Sequence, residues 1–361
     1  MHASSETGVN TSVLRFEATN DAVDLDQLAL QLTNSASSSA QNLTNVYLYD
    51  QSGNKLAQTQ FLGATSTAFV TLSPRLHVNK DGAALLTIKT DIAAMDSTSA
   101  SALEGAFIAV DYDGGQVAGT TTAYGSDGST ATNTTATGNN YDTATAGYRV
   151  FKSYPTLALI NSCVNKDLLS AAGTANIFCF SVNGGPASVN GETKNGIALN
   201  KIVLNIATSS ASAVSGTTTL TNLKVTAYTD AALTSPIGSG FTNGVVFTAQ
   251  PGILNGSDNA VVFNAPVYVP AGQTYYFKVQ GDITNTTGSG TFSGFVKTKL
   301  AGDASYPALG ALMGVYATGL GNFVWSPNAT TTSGTGHVDW TNGFNLPGLP
   351  SDYTDLVSIS K

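Results

Sequence analysis

The sequence predicts an all-β protein made of two tandem β-sandwiches, and three observations predict it. Val, Ile, Leu, Tyr and Phe alternate with Thr, Ser and Asn in short runs, and clusters of Gly, Asn, Asp and Pro separate the runs. Helical periodicity is almost absent; short turns are expected only at 165–172 and near 90–98. The second half of the chain also repeats the first, strand by strand and in the same order.

The repeat places the elements. Val13 to Ala18 matches Ile177 to Val182, and Val23 to Leu32 matches Ile197 to Ile206. Leu43-Thr44-Asn45-Val46 recurs as Leu220-Thr221-Asn222-Leu223. Val78 to Ile92 runs without a gap against Val269 to Ile283, and Phe107-Ile108 falls opposite Phe295-Val296. Unit one therefore spans 1–152, with a low-complexity insertion at 114–147 that is too poor in apolar residues to build core and reads as a surface loop or weak hairpin. Tyr148 to Lys152 is its expected last strand, and Pro155 stiffens the junction. Unit two spans 153–325, with Asn322 to Trp325 expected to match the strand at Arg149 to Phe151. A polar tail, 326–361, carries Trp340 and ends in an alternating terminal strand.

Composition excludes several classes of function. Charged residues make up only 11% of the 361, and 15 Lys+Arg in a net charge of -8 leave no basic stripe for nucleic acid or for an anionic membrane surface. No apolar run reaches the roughly 18 to 20 residues that cross a bilayer; Ala308 to Trp325 comes nearest and is broken by four glycines. The start, MHASSETGVNTS, has no apolar signal core and taken literally means cytoplasm. The weakly charged Gly, Ser, Thr, Ala and Asn exterior instead favours an extracellular protein that begins after processing or belongs to a longer chain. Cys163 and Cys179 are the only cysteines and are expected on two consecutive strands of unit two. A disulfide between them implies an oxidising compartment; the competing reading is two buried thiols.

Convergent reactive groups are scarce, so no enzyme is expected. His2, His77 and His337 are scattered, with His77 a solvent-facing strand residue and His337 near Asp339. No catalytic or phosphate-binding motif occurs. Asp111-Tyr112-Asp113-Gly114-Gly115 is the best metal candidate, for calcium through Asp111 and Asp113, and Asp21, Asp24 and Asp26 form a second cluster; neither completes a calcium-loop pattern, and no other cofactor is expected. Asn10, Asn42, Asn133, Asn255, Asn285 and Asn328 begin N-x-S/T sequons and serve as surface markers. Among aromatics, Trp325 reads as core, at most one of Tyr275 and Tyr276 is available on a face, and Trp340 reads as an anchor at a protein contact.

The tandem units resemble immunoglobulin-like sandwich modules over about nine tenths of the chain. The segments FVWSPNAT, DWTNGF and GLP near the end are similar to recurring stretches of large secreted, S-layer-like surface proteins of small-genome candidate-phylum bacteria (Patescibacteria), which implies a cell-surface location and carries no catalytic residue across. Unit two has residues 154–174 ahead of its Cys179 strand, whereas unit one has only twelve residues ahead of Val13, without alternation. Unit one is therefore expected to lack its first strand and to expose a sheet edge. The terminal strand, with Leu356, Val357 and Ile359, is expected to be free to complete the edge at Val13, Leu14 and Phe16 of a neighbouring copy, giving a head-to-tail homopolymer, filament or layer. Two other readings stand beside it: an adhesin or glycan-binding module recognising through the insertion and Trp340, and a fragment whose last strand opens a third module.

Overall fold

The structure is a computed structural model that describes residues 1–32, 39–62, 67–95, 104–113, 121–132, 147–165, 173–209, 217–238, 240–248, 257–286, 294–307, 321–327 and 340–360. These residues divide into two compact units, Met1–Lys152 with Val189–Glu192, and Ser153–Ser188 with the described remainder from Thr193.

Unit one opens with β1 (His2–Ala3), β2 (Val9–Glu17) and β3 (Val23–Leu32). Then come β4 (Leu43–Tyr49), β5 (Lys55–Thr59), β6 (Thr67–Val78) and β7 (Ala83–Ile92). Short strands follow, β8 (Ala106–Ile108), β9 (Val110–Tyr112), β10 (Thr122–Gly125), β11 (Thr130–Thr132) and β12 (Tyr148–Phe151). One sheet runs β2-β7-β4-β5; the other centres on β3, which pairs with β6, β9 and β10. Leu28 and Leu30 of β3 meet Leu48, Leu86 and Ile88 of the facing sheet in one fully buried core. A third, small sheet runs β1-β12-β8. The described part of the insertion is the β10–β11 hairpin, which adds to β3.

Unit two opens with β13 (Thr156–Leu159) and β14 (Gly173–Asn183), then the two-residue strands β15 (Ser188–Val189) and β16 (Glu192–Thr193). β17 (Ile197–Thr208), β18 (Thr217–Tyr228), β19 (Val245–Phe247), β20 (Ser257–Val269) and β21 (Thr274–Thr286) form its body. β22 (Phe295–Leu300), β23 (Val324–Ser326) and β24 (Val357–Ser360) complete it. One sheet runs β13-β14-β21-β18-β19; the other runs β20-β17-β22-β24, with β23 also on β17. Phe277 joins the two sheets, lying 4.9 Å from Phe180 beside it and 6.0 Å from Phe263 of the facing sheet. Both units are thus sandwiches of the immunoglobulin-like, all-β kind. Helical structure among the described residues is limited to three 3-10 turns, Ala40–Asn42, Asn161–Cys163 and Thr242–Gly244. The turn expected near 90–98 is instead, over 90–92, the end of β7, and most of 165–172 lies outside the described residues.

The two sandwiches share a register. Val23 faces Val78 and Leu28 faces Val70 in unit one; Ile197 faces Val269 and Ile202 faces Val261 in unit two. A bulge interrupts β3 between Leu25 and Gln27 and β17 at the matching place, between Leu199 and Lys201. Another falls between Asn10 and Ser12 of β2 and between Asn176 and Phe178 of β14. Because Leu14 faces Leu86 and Phe180 faces Phe277, Leu14 corresponds to Phe180, and Phe16 to Val182. The register of β2 thus differs by two residues from the match of Val13 to Ile177 that the sequence suggests. Alternation cannot detect such a slip, since a shift of two leaves every side chain on its own face. Cys179 therefore corresponds to Val13 and not to Arg15.

The last strand differs most from expectation. β24 lies antiparallel to β22, with Ile359 opposite Val296, as Tyr148 of β12 lies opposite Ile108 of β8. β24, and not the stretch ending at Trp325, is the counterpart of β12 and closes unit two. Val357 and Ile359 are 7% and 0% exposed. The tail is not a free polar extension: the described residues 340–360 belong to unit two, where the Leu157 amide donates to the Pro347 carbonyl and Leu346 and Leu349 are buried.

Candidate functional site, an open sheet edge

β14 is covered on its outer side by β13, where Leu157 faces Val182 and Leu159 faces Phe180. Among the described residues no strand occupies the matching place in unit one: β2 pairs with β7 and ends its sheet. The consequence is visible in the core. Phe180 and Val182 are 0% exposed, whereas their counterparts Leu14 and Phe16 are only half-buried, although both pack on the unit-one core. Phe16 meets the edge of Tyr112 at 5.7 Å, and Val13, on the outer face, is 59% exposed.

Backbone direction follows from one hydrogen bond. The Ala18 amide donates to the Gly82 carbonyl, toward β7, so alternation aims the amides of Val13, Arg15 and Glu17 away from β7. In unit two the carbonyl of Cys179, counterpart of Val13, accepts from Ile160 on the β13 side. Arg15 and Glu17 pair with each other on the outer face of the sheet.

The other predicted residues fall as follows. Cys163 and Cys179 form a disulfide with Cα atoms 6.1 Å apart. Trp340 is no exposed anchor: it is 8% exposed and buried beside Ala198 and Val324. Leu356 is 47% exposed, but Val357 and Ile359 serve their own unit. Trp325 is core, its Nε1–H donating to the Asn342 carbonyl. Asp21, Asp24 and Asp26 do not converge on a metal. Asp21 accepts from Ser126, Asp24 bonds His77 at 2.7 Å, and Asp26 takes the Arg75 Nε–H at 2.7 Å while the Arg75 guanidinium stacks 3.8 Å from the Tyr124 ring. His77 is exposed on its strand, and the bond to Asp24 raises its pKa. Among the described residues no three His, Cys, Asp or Glu side chains gather as a metal site. Asn10 is exposed, but Asn42 is 1% exposed, so the sequons are not uniformly surface markers. Asn133, Asn255, Asn328 and His337 lie outside the described residues, as does most of the insertion.

One repeated device escaped the sequence reading. Asp91 accepts from the Gly8 amide at 2.8 Å, Asn45 Nδ2 at 3.1 Å and Tyr47 OH at 2.6 Å. Its counterpart Asp282 accepts from Thr174 Oγ1 at 2.6 Å and Asn222 Nδ2 at 2.9 Å. Each carboxylate ties three neighbouring strands. The signal was present in the repeat, where Leu-Thr-Asn and Asp-Ile recur together.

No protein-family model matches the sequence, and no curated protein matches it. Similar solved structures include a serine-rich repeat protein from Streptococcus agalactiae, at 12% identity and a TM-score of 0.18, covering 83% of this chain and 90% of that one. The C-terminal domain of the AgI/II polypeptide BspA from the same species is similar at 9% identity and 0.21, covering 82% and 90%. The T6 backbone pilin of serotype M6 Streptococcus pyogenes is similar at 12% and 0.21, covering 96% of this chain and 64% of that one.

Proposed function

We propose that this chain is a non-enzymatic structural subunit of an extracellular surface assembly, whose copies join head to tail through the open edge of β2. The observation that carries the reading is the half-exposed core at Leu14 and Phe16, where the other unit buries Phe180 and Val182 under a strand. An unpaired edge beside apolar core is a template for an added strand. The disulfide fits an oxidising, extracellular setting.

The occupant is β24 of a second copy, used without leaving its own sheet. Withdrawing β24 would expose Val357 and Ile359, each worth about 1.5–3 kcal/mol when buried, which is as much as their insertion elsewhere would return. β24 ends its sheet among the described strands and presents an outer edge, preceded by exposed Leu356. An edge of unit one meeting an edge of unit two is a heterologous contact, and a contact of that kind which does not close produces an open polymer.

Arg15→Pro tests this. It removes an outward amide while leaving the β7 side of the strand intact. Wild-type protein should form regular polymers by electron microscopy and sediment as growing species with concentration, and the variant should stay monomeric with an unchanged melting temperature. Wild-type protein that remains monomeric throughout, or a variant that polymerises equally well, overturns the reading.

A further inference from the structure

The Asp113 carboxyl is 1% exposed, and neither of its oxygens has a hydrogen-bond partner. No ion pair among the described residues reaches it. Its place in the fold makes this unusual. Val110 and Tyr112 of β9 face the unit-one core, so alternation turns Asp111 and Asp113 together to the opposite face of the sheet. Asp111 is also 1% exposed and lies opposite Gln31, itself 4% exposed; the Asp113 amide donates to the carbonyl of Ala29, which is 0% exposed. Unit two repeats that backbone bond, from the Ala301 amide to the Val203 carbonyl, with a buried alanine where unit one has Asp113. Packing alone is thus satisfied by a methyl group.

A buried, unpaired carboxylate is among the most costly groups a fold can hold, and it persists where something neutralises it. Two buried carboxylates on one face of the chain, Asp113 without a partner and Asp111 accepting from the Tyr112 amide through one oxygen, with Gln31 opposite Asp111 in the register, offer oxygen ligands. That set suits a hard cation, and calcium accepts carboxylates together with amide and backbone carbonyl oxygens and water. We propose that Asp113 and Asp111 hold a divalent cation of the calcium class on the outer face of unit one.

The test uses the full chain, stripped with chelator and then titrated with calcium chloride. Calcium should raise the melting temperature of the wild type saturably, and wild-type protein purified without chelator should retain one calcium per chain by elemental mass spectrometry. Terbium added in place of calcium should emit on excitation of the adjacent Tyr112. Asp113→Asn should lose all three responses. Asp113→Ala, which copies the alanine that unit two already uses, should lose them too and should melt above the stripped wild type in chelator. A wild type that shows no shift at millimolar calcium overturns the site, as does a shift of equal size in Asp113→Asn; either outcome leaves Asp113 neutralised by a proton alone.

Discussion

The acidic residues of β3 show how individual side chains are settled by their cross-strand neighbours. Asp24 and Asp26 lie next to each other in a sequence pattern that suggests a shared metal, yet each is matched to a cation on β6, His77 for the first and Arg75 for the second. Because the bond to Asp24 favours the imidazolium, the His77 pKa lies above its ordinary value. What the pair contributes is therefore fully present below the unfolded histidine value of about 6.5 and is lost as pH rises through the folded value. A proton-detected titration should place the His77 midpoint above that of a model peptide, and Asp24→Asn should return it; an unchanged midpoint in the variant would dissociate the two residues. That His77 faces solvent was legible from its alternation with Leu76 and Val78. Its partner was not, because the bulge between Leu25 and Gln27 resets which residues stand opposite.

Individual strands were legible wherever apolar alternation was strong, and the repeat matched them between the units, but their order within each sheet was not legible. What alternation could not supply was the exact offset of β2, where a slip of two is silent, or the burial of the tail, whose prolines and glycines carry no period. Polar staples between strands were equally hidden, although the recurring Asp91 and Asp282 marked them. Removing the Asp91 carboxylate leaves three donors without their acceptor, one of them on Tyr47, whose pKa that bond pushes up to about 12. Asp91→Ala should therefore cost unit one about 3 kcal/mol, the upper range for bonds to a charged group, read as a loss in its urea midpoint. Asp282 is held below its ordinary carboxylate range by Thr174 first and then Asn222. Its contribution is present above the unfolded value of about 3.9 and disappears as pH falls through the depressed folded value. Asp282→Asn should accordingly flatten the acid limb of unit-two stability, and an unaltered limb would show that this carboxylate does not couple to folding.

At the scale of the whole chain, the shared register makes each unit a version of one module, and the differences between the versions are where function can reside. Among the described residues unit one has no counterpart of β13, and it carries a carboxylate where unit two has Ala301. The closing strands, by contrast, correspond: β12 in one unit and β24 in the other. A truncation before residue 356 is therefore a poor probe of assembly, because it removes a core strand of unit two along with the proposed contact. Val357 and Ile359 together should cost unit two at least about 3 kcal/mol, taking the lower figure for each buried side chain, and unit one should be untouched. Calorimetry of the truncated chain should show one transition moved to lower temperature and the other in place. If both transitions stayed where they were, β24 would be dispensable to its own sheet and free for donation; a selective shift leaves its outer edge as the surface through which the tail can meet a neighbour.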